Sequence, residues 1–329
     1  MIIEPYNFTK EDIEKYLGKY DVGWETIRER RFAKQKRLGL FPNDMELPPL
    51  PEHMKPWNEL SDKEREMESF RMAIYAAMVD RVDQSIGRML DYLEKRGVRD
   101  NTLILLVSDN GACPFERSRM TQIPPWKPDS YYLYDASWAA VGNTPFKHFK
   151  QTQHEGGISS PLIVNWPGKI AQPGSWETSP GHLIDIMATF VDVTDATYPK
   201  KYRGEKIVPL QGKTLAPLFA GNERDEHDWL YFQFGDCRAI IQDDWKAVSF
   251  YGHKWELYNL VDDRVEQNDL SDKLPEKVEA LKNLWHYAAK EVDRAPEKAR
   301  KPASEKASPD SRGSWHGTKE YDHWQAPAF

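Results

Sequence analysis

The sequence predicts an α/β fold followed by a small antiparallel sheet with one helix packed on it. Three observations carry that expectation. A long helical pattern, Ser61 to about Arg96, leads into the continuous apolar run Leu103–Val107. A second short apolar segment, Pro161–Trp166, precedes another helical pattern at Ile184–Val193. After residue 228 the texture changes to short aromatic segments separated by Gly or Asp turns. A helix feeding a strand that is apolar throughout is one half of an α/β unit, and such a strand is expected in a parallel sheet, buried on both faces.

Taken in order, residues 9–40 read as helix, with Thr9 and Asp12 close to a capping box and Gly39 as the stop. Prolines at 42, 48, 49, 51 and 56 make Phe41–Trp57 a loop. From Ser61, which forms a capping box with Glu64, the residues Phe70, Ile74, Met78, Val82, Ile86, Met89 and Leu93 recur at three- and four-residue spacing, and Gly97 closes the helix. Residues 112–150 lack periodicity, and a loop that long inside a compact domain is usually functional. Trp229–Phe234, Arg238–Gln242, Trp245–Phe250 and Trp255–Leu260 suggest an antiparallel meander, and Leu274–Val292 a final helix. The expected units are residues 1–222, residues 223–295, and a Pro-, Ser-, Lys- and Glu-rich tail over 296–329.

Composition removes several function classes. The 329 residues carry a net charge of −7 with both signs interleaved, which argues against nucleic acid as a partner. The longest purely aliphatic run, Leu103–Val107, is far short of the roughly 20 residues a membrane helix needs, so no membrane partner is expected. Cys113 and Cys237 are the only cysteines, too few for a disulfide framework or zinc-ligand spacing. The opening MIIEPYNFTKED has neither the basic nor the apolar region of a signal peptide. The twelve tryptophans are expected in the core rather than as stacking surfaces for a ligand.

Two segments carry candidate chemistry. Asp109-Asn110-Gly111 is ordinary turn sequence, but it follows a buried strand, and open α/β sheets bind ligands at the carboxyl ends of their strands. A carboxylate and an amide oxygen are hard donors suited to Ca²⁺ or Mg²⁺, yet two donors do not complete a six- to eight-fold Ca²⁺ shell. Lys150 precedes His154-Glu155-Gly156-Gly157, a double-glycine turn where backbone can approach a ligand closely. His154 is a candidate for substrate contact, with a structural role favoured over catalysis, and Glu155 is expected to bond its own turn. Cys113 and Cys237 read as structural.

Six segments resemble the sulfatase family, of the arylsulfatase-like, formylglycine-dependent type. They are MVDRVDQSIGRMLDYLEKRGVRDNTLILLVSDNG (Met78–Gly111), NTPFKHFKQTQHEGGISSPLIVNWPGKI (Asn143–Ile170), HLIDIMATFVDVTDATYP (His182–Pro199), PLQGKTLAPLFAG (Pro209–Gly221), DDWKAV (Asp243–Val248) and WELYNLVDDRVEQNDLS (Trp255–Ser271), in family order. The resemblance implies an alkaline-phosphatase-like α/β/α sandwich lacking its first strands. It makes Asp109 and Asn110 two Ca²⁺ ligands, and Lys150 the catalytic lysine that contacts the sulfate and leaving-group oxygens. Cys113-Pro114-Phe115-Glu116-Arg117 departs from the family's C-x-P-x-R nucleophile signature, because its proline falls one place early and it lies after the Asp-Asn-Gly segment.

The family's formylglycine and its remaining metal ligands and cations would lie upstream of Met1. The chain is therefore expected to be a C-terminal part with no nucleophile of its own, possible partner to an N-terminal sulfatase half. Its expected substrate is a sulfated small molecule or glycan, and the full-length family member is expected to be periplasmic or secreted. A phosphoester or phosphonate hydrolase of the same superfamily, and a non-catalytic scaffold, are the alternatives.

Overall fold

The computed structural model describes residues 8–51, 54–116, 118, 120–293 and 327. Where one helix was expected over 9–40 there are two, α1 (Lys10–Glu14) and α2 (Gly23–Arg37). The break is local in origin: Gly18 and Gly23 hold φ of +75° and +85°, which a right-handed helix does not contain. Gly23 is doubly constrained, since a Cβ there would lie 2.5 Å from the Trp57 ring. The proline-rich loop follows and ends in a 3-10 turn at Trp57–Glu59.

Helix α3 (Asp62–Lys95) begins at the expected capping box, with Glu64 N donating to Ser61 Oγ at 3.2 Å and Ser61 N to Glu64 Oε2 at 2.6 Å. Its first half is buried, where Met67, Phe70, Ile74 and Met78 pack with Phe8, Ile13 and Tyr132. Farther along the same stripe, Val82 and Met89 are 44% and 42% exposed.

Strand β1 (Ile104–Val107) follows α3. The irregular segment after it contains α4 (Ala136–Gly142), which the sequence reading missed. Its sequence signal is the N-cap Asp135, whose carboxylate accepts from the Ser137 amide at 2.9 Å. Helix α4 brings Trp138 edge-on against Trp24 and Trp57, with ring centroids 5.8 and 6.0 Å apart, the core fate expected of the tryptophans.

A single turn, α5 (Glu155–Ile158), precedes β2 (Leu162–Asn165). Strands β1 and β2 pair antiparallel, Ile104 opposite Asn165 and Val107 opposite Leu162. This corrects two expectations: β1 has no parallel neighbour among the described residues, and it is not buried on both faces, since Leu106 is exposed. The described residues give this sheet two strands only, so no third strand closes either edge.

Helix α6 (Leu183–Val193), the two-rung hairpin β3 (Lys201–Tyr202) and β4 (Glu205–Lys206), and the turn α7 (Ala216–Phe219) complete the first region. The second matches the expected meander. Strands β5 (Leu230–Phe234), β6 (Cys237–Gln242), β7 (Trp245–Ser249) and β8 (Trp255–Asn259) pair antiparallel in sequence order. Helix α8 (Pro275–Asp293) seats Leu281, Trp285 and Ala288 on Ile240, Ala247 and Leu257. The expected tail lies outside the described residues except for Pro327.

Asp185, in the first turn of α6, is fully buried. Its carboxylate accepts from His227 Nε2 at 2.7 Å, Arg224 at 3.1 Å and the backbone amides of Lys213 and His182, both at 2.9 Å. Burial alone would raise this carboxyl; His227 and the two amides reverse that and hold it down at about 2. A carboxylate depressed in the folded state stabilises the fold fully above its unfolded range near ~4, and that stability is lost as pH falls toward the folded value. Asp185→Asn is expected to lose on the order of 2 kcal/mol at neutral pH. It should also flatten the fall in stability between about pH 4 and 2, read from denaturant midpoints across that range.

Candidate functional site

The two candidate segments meet at the carboxyl end of β1. Gly111 N donates to Gly157 O at 2.9 Å, and Lys150 N donates to Ala112 O at 3.0 Å. Asn143 bridges them, its Oδ1 accepting from Ala112 N at 3.0 Å and its Nδ2 donating to His148 O at 3.1 Å. The glycines are required by close approach rather than by unusual torsions. A Cβ on Gly111 would lie 1.7 Å from Gly156 O, one on Gly156 would lie 2.1 Å from His148 O, and one on Gly157 would lie 2.1 Å from Thr152 O. The double glycine thus lets the chain approach itself, where the sequence reading expected it to admit a ligand.

This knot leaves two charged side chains and one amide oxygen without intramolecular partners among the described residues. Asp109 is exposed and makes no hydrogen bond or ion pair, and the half-buried Lys150 ammonium likewise has none. Asn110 Nδ2 donates to Gly111 O at 3.1 Å, and its amide oxygen remains as an acceptor. Asp109 and Asn110 fit Ca²⁺ in kind, being hard oxygen donors, but not in number. Among the described residues no group of three or more His, Cys, Asp or Glu could hold a metal ion.

Behind the knot lies a buried ionic layer that the sequence reading did not find. Lys246 on β7 is fully buried, with Nζ 2.7 Å from Glu155 Oε1 and 2.8 Å from Glu266 Oε1. Burial lowers its pKa, partly offset by the charge and hydrogen bond of Glu266. Arg264 pairs with the other Glu155 oxygen, and the Glu155 amide donates to Glu266 Oε2 at 2.8 Å. The expectation that Glu155 bonds its own turn is corrected, because its carboxylate reaches across to the C-terminal sheet. The missed signal was Lys246 itself, set between Trp245 and Ala247 on a strand whose neighbouring positions point into a core.

A second ring of bonds holds the other end of the loop. Glu256 on β8 accepts from Lys147 Nζ at 3.0 Å, lies 3.2 Å from His154 Nε2, and accepts from the Tyr258 hydroxyl. Burial pushes the Glu256 carboxyl up, but the bond and charge of His154, with Lys147 and Tyr258, hold it well below the usual carboxylate range. His154 is fully buried. Its bond to Glu256 places it in the support of the Lys150 loop. Cys237 is buried beside Phe149 and Phe250, as expected of a structural cysteine. Cys113 is half-buried and lines a small cleft with Arg71, Tyr75 and Tyr134.

Removing one partner of a buried charge cluster leaves the others uncompensated and typically costs about 3–5 kcal/mol. Lys246→Ala is therefore expected to destabilise the chain by about that much. The milder Glu256→Gln should leave global stability closer to native while speeding amide exchange over 147–157. Unchanged exchange in that loop would show that the ring does not hold it.

A sequence model of the family described as Sulfatase matches residues 5–196, and one described as N-sulphoglucosamine sulphohydrolase, C-terminal, matches residues 146–292. An uncharacterized sulfatase of Schizosaccharomyces pombe is 31% identical over 307 residues, covering 85% of this chain and 54% of the relative. An arylsulfatase of Klebsiella aerogenes is 28% identical, over 65% of this chain and 49% of its own. The chain spans about half the length of these curated relatives. The crystal structure of Ps i-CgsB in complex with k-i-k-neocarrahexaose superposes with a TM-score of 0.50 at 21% identity, over 81% of this chain and 52% of that one. That likeness is one of fold, the alkaline-phosphatase-like arrangement expected from the sequence. Among the described residues no helix is long and apolar enough to cross a membrane.

Proposed function

This chain belongs to the sulfatase family, and we propose that it carries one half of a site that hydrolyses a sulfate monoester. The observation that supports the reading is the knot at the end of β1, where the Asp109 carboxylate, the Asn110 amide oxygen and the Lys150 ammonium have no partner among the described residues while other charges behind them are paired. Asp109 and Asn110 would be two holders of a Ca²⁺ ion, which would supply positive charge to the sulfate oxygens. Lys150 contacts the transferring group and offsets charge on it and on the departing oxygen. Its backbone is tied to Ala112, which fixes the point from which the side chain reaches the site. Neither cysteine serves as the nucleophile, which together with the remaining metal donors comes from an N-terminal sulfatase half. The substrate class is a sulfated small molecule or glycan, in keeping with the sulphoglucosamine hydrolase region matched over 146–292.

Assays of a complete domain, containing this chain and an N-terminal sulfatase half, test the reading. Lys150→Ala should lower kcat on an aryl sulfate or a glucosamine sulfate by about 10²–10³. Asp109→Ala should weaken Ca²⁺ binding in calorimetry by about tenfold or more. The 329-residue chain alone should stay at background, with or without Cys113→Ala, because charge stabilisation without a positioned nucleophile leaves only attack by free water. Faster turnover of an aryl phosphate than of the matching sulfate, or robust turnover by the lone chain that Cys113→Ala abolishes, would overturn it.

A further inference from the structure

Asn143 stands where the two segments of the candidate site meet, and both its backbone and its side-chain amide are engaged. It is the C-cap of α4, its backbone N donating to Ala139 O at 3.1 Å and its O accepting from Phe146 N at 2.8 Å. That ties it to the tryptophan core. Trp138 on the same helix packs on Trp24 and Trp57 and donates through Nε1 to Glu68 O at 3.1 Å. The Asn143 side chain reaches the site, with Oδ1 accepting from Ala112 N at 3.0 Å and Nδ2 donating to His148 O at 3.1 Å. An N–H on one side and a carbonyl on the other fix which end of the amide is which.

These two bonds bear on Lys150 by separate routes. Ala112 is the residue whose O accepts from Lys150 N at 3.0 Å, so Asn143 holds the amide side of Ala112 while Lys150 hangs from its carbonyl side. His148 lies two positions before Lys150 and has a φ of +61°, a left-handed conformation that a residue with a side chain keeps only where its surroundings impose it. Its ring stacks on Phe250 at 4.8 Å and 12°, and its carbonyl is the one Asn143 holds. The Asp109 side of the site has its own tie, Gly111 N to Gly157 O at 2.9 Å, which does not pass through Asn143. We propose that Asn143 is a positioning residue for the sulfate reaction, setting the backbone from which Lys150 reaches the transferring group. This rests on the sulfate reading and adds the group that fixes the reach of its lysine. The role is specific to an amide. Aspartate in its place would present acceptors to both partners, and leucine would make neither bond, though both are close to asparagine in size.

Two variants test this, in the complete domain described above and in the 329-residue chain. In the domain, Asn143→Ala should lower kcat on an aryl sulfate by about tenfold or more, since small misplacements of a charge-stabilising group are costly. In the Lys150→Ala background the same change should cost less than about threefold, because a residue that acts through Lys150 has nothing left to position. Asn143→Asp keeps the side-chain volume and the acceptor for Ala112 N but loses the donor to His148 O. It should show the same pattern, and it serves if Asn143→Ala does not fold. In the chain alone, both variants should speed amide exchange at Lys150 by about tenfold or more while exchange in α8 stays native. Losses that add in full on Lys150→Ala would mean that Asn143 acts on the fold at large, and native exchange at Lys150 would mean that it does not hold the loop; either result overturns the proposal. The two readings fail separately. A domain that turns over no sulfate ester, or whose turnover ignores Lys150→Ala, sinks the sulfate reading, whereas Lys150-dependent turnover that ignores both Asn143 variants sinks this one alone.

Discussion

A single ammonium group set inside the protein organises the candidate site. Lys246 stands on a central strand with no access to water, and a charge there is tolerable only if opposite charges meet it directly. Glu155 and Glu266 do so at 2.7 and 2.8 Å. Because Glu155 is the residue before the double glycine, meeting that demand pins the Gly-Gly turn to the C-terminal sheet. Gly157 then receives Gly111, and Lys150 is tied to Ala112. The position of the Lys150 backbone is therefore set through hydrogen bonds that begin at a lysine nearly a hundred residues away.

The molecule is unevenly finished. Around Trp285 the sheet β5-β6-β7-β8 and α8 close a core of ordinary kind, and Trp24, Trp57 and Trp138 close another. The ribbon β1–β2 and the end of α3 have apolar sequence without apolar surroundings. The unpaired groups Asp109 and Lys150 lie at the end of that same ribbon.

The sheet-facing charges also separate support from chemistry. Glu155, Glu256, Glu266, Lys147, Lys246 and His154 are engaged with one another, so each is held by a neighbour. Asp109 and Lys150 carry a carboxylate and an ammonium too, and make no ion pair among the described residues. The difference lies in placement rather than residue type, and it distinguishes His154, a buried brace, from Lys150, four residues earlier on the same loop.

By itself the sequence determined what depends on local pattern. The capping box at Ser61, the reach of α3, the four aromatic strands, the last helix and the Asp109-Asn110 and Lys150 segments were legible, because caps, turns and periodicity act over a few residues. It did not reveal the break between α1 and α2, because a glycine in the sequence does not announce the positive φ that Gly18 and Gly23 adopt, nor α4, whose Asp135 cap is a weak signal inside a long irregular stretch. It could not show that Glu155 bonds Lys246 or that His154 bonds Glu256, since these partners are 91 and 102 residues apart and only the docked sheet brings them together. The same limit explains the misread strand. The run Leu103–Val107 states that β1 is to be buried on both faces, but burial depends on what packs there, and only the tertiary structure showed that the described chain leaves those faces open.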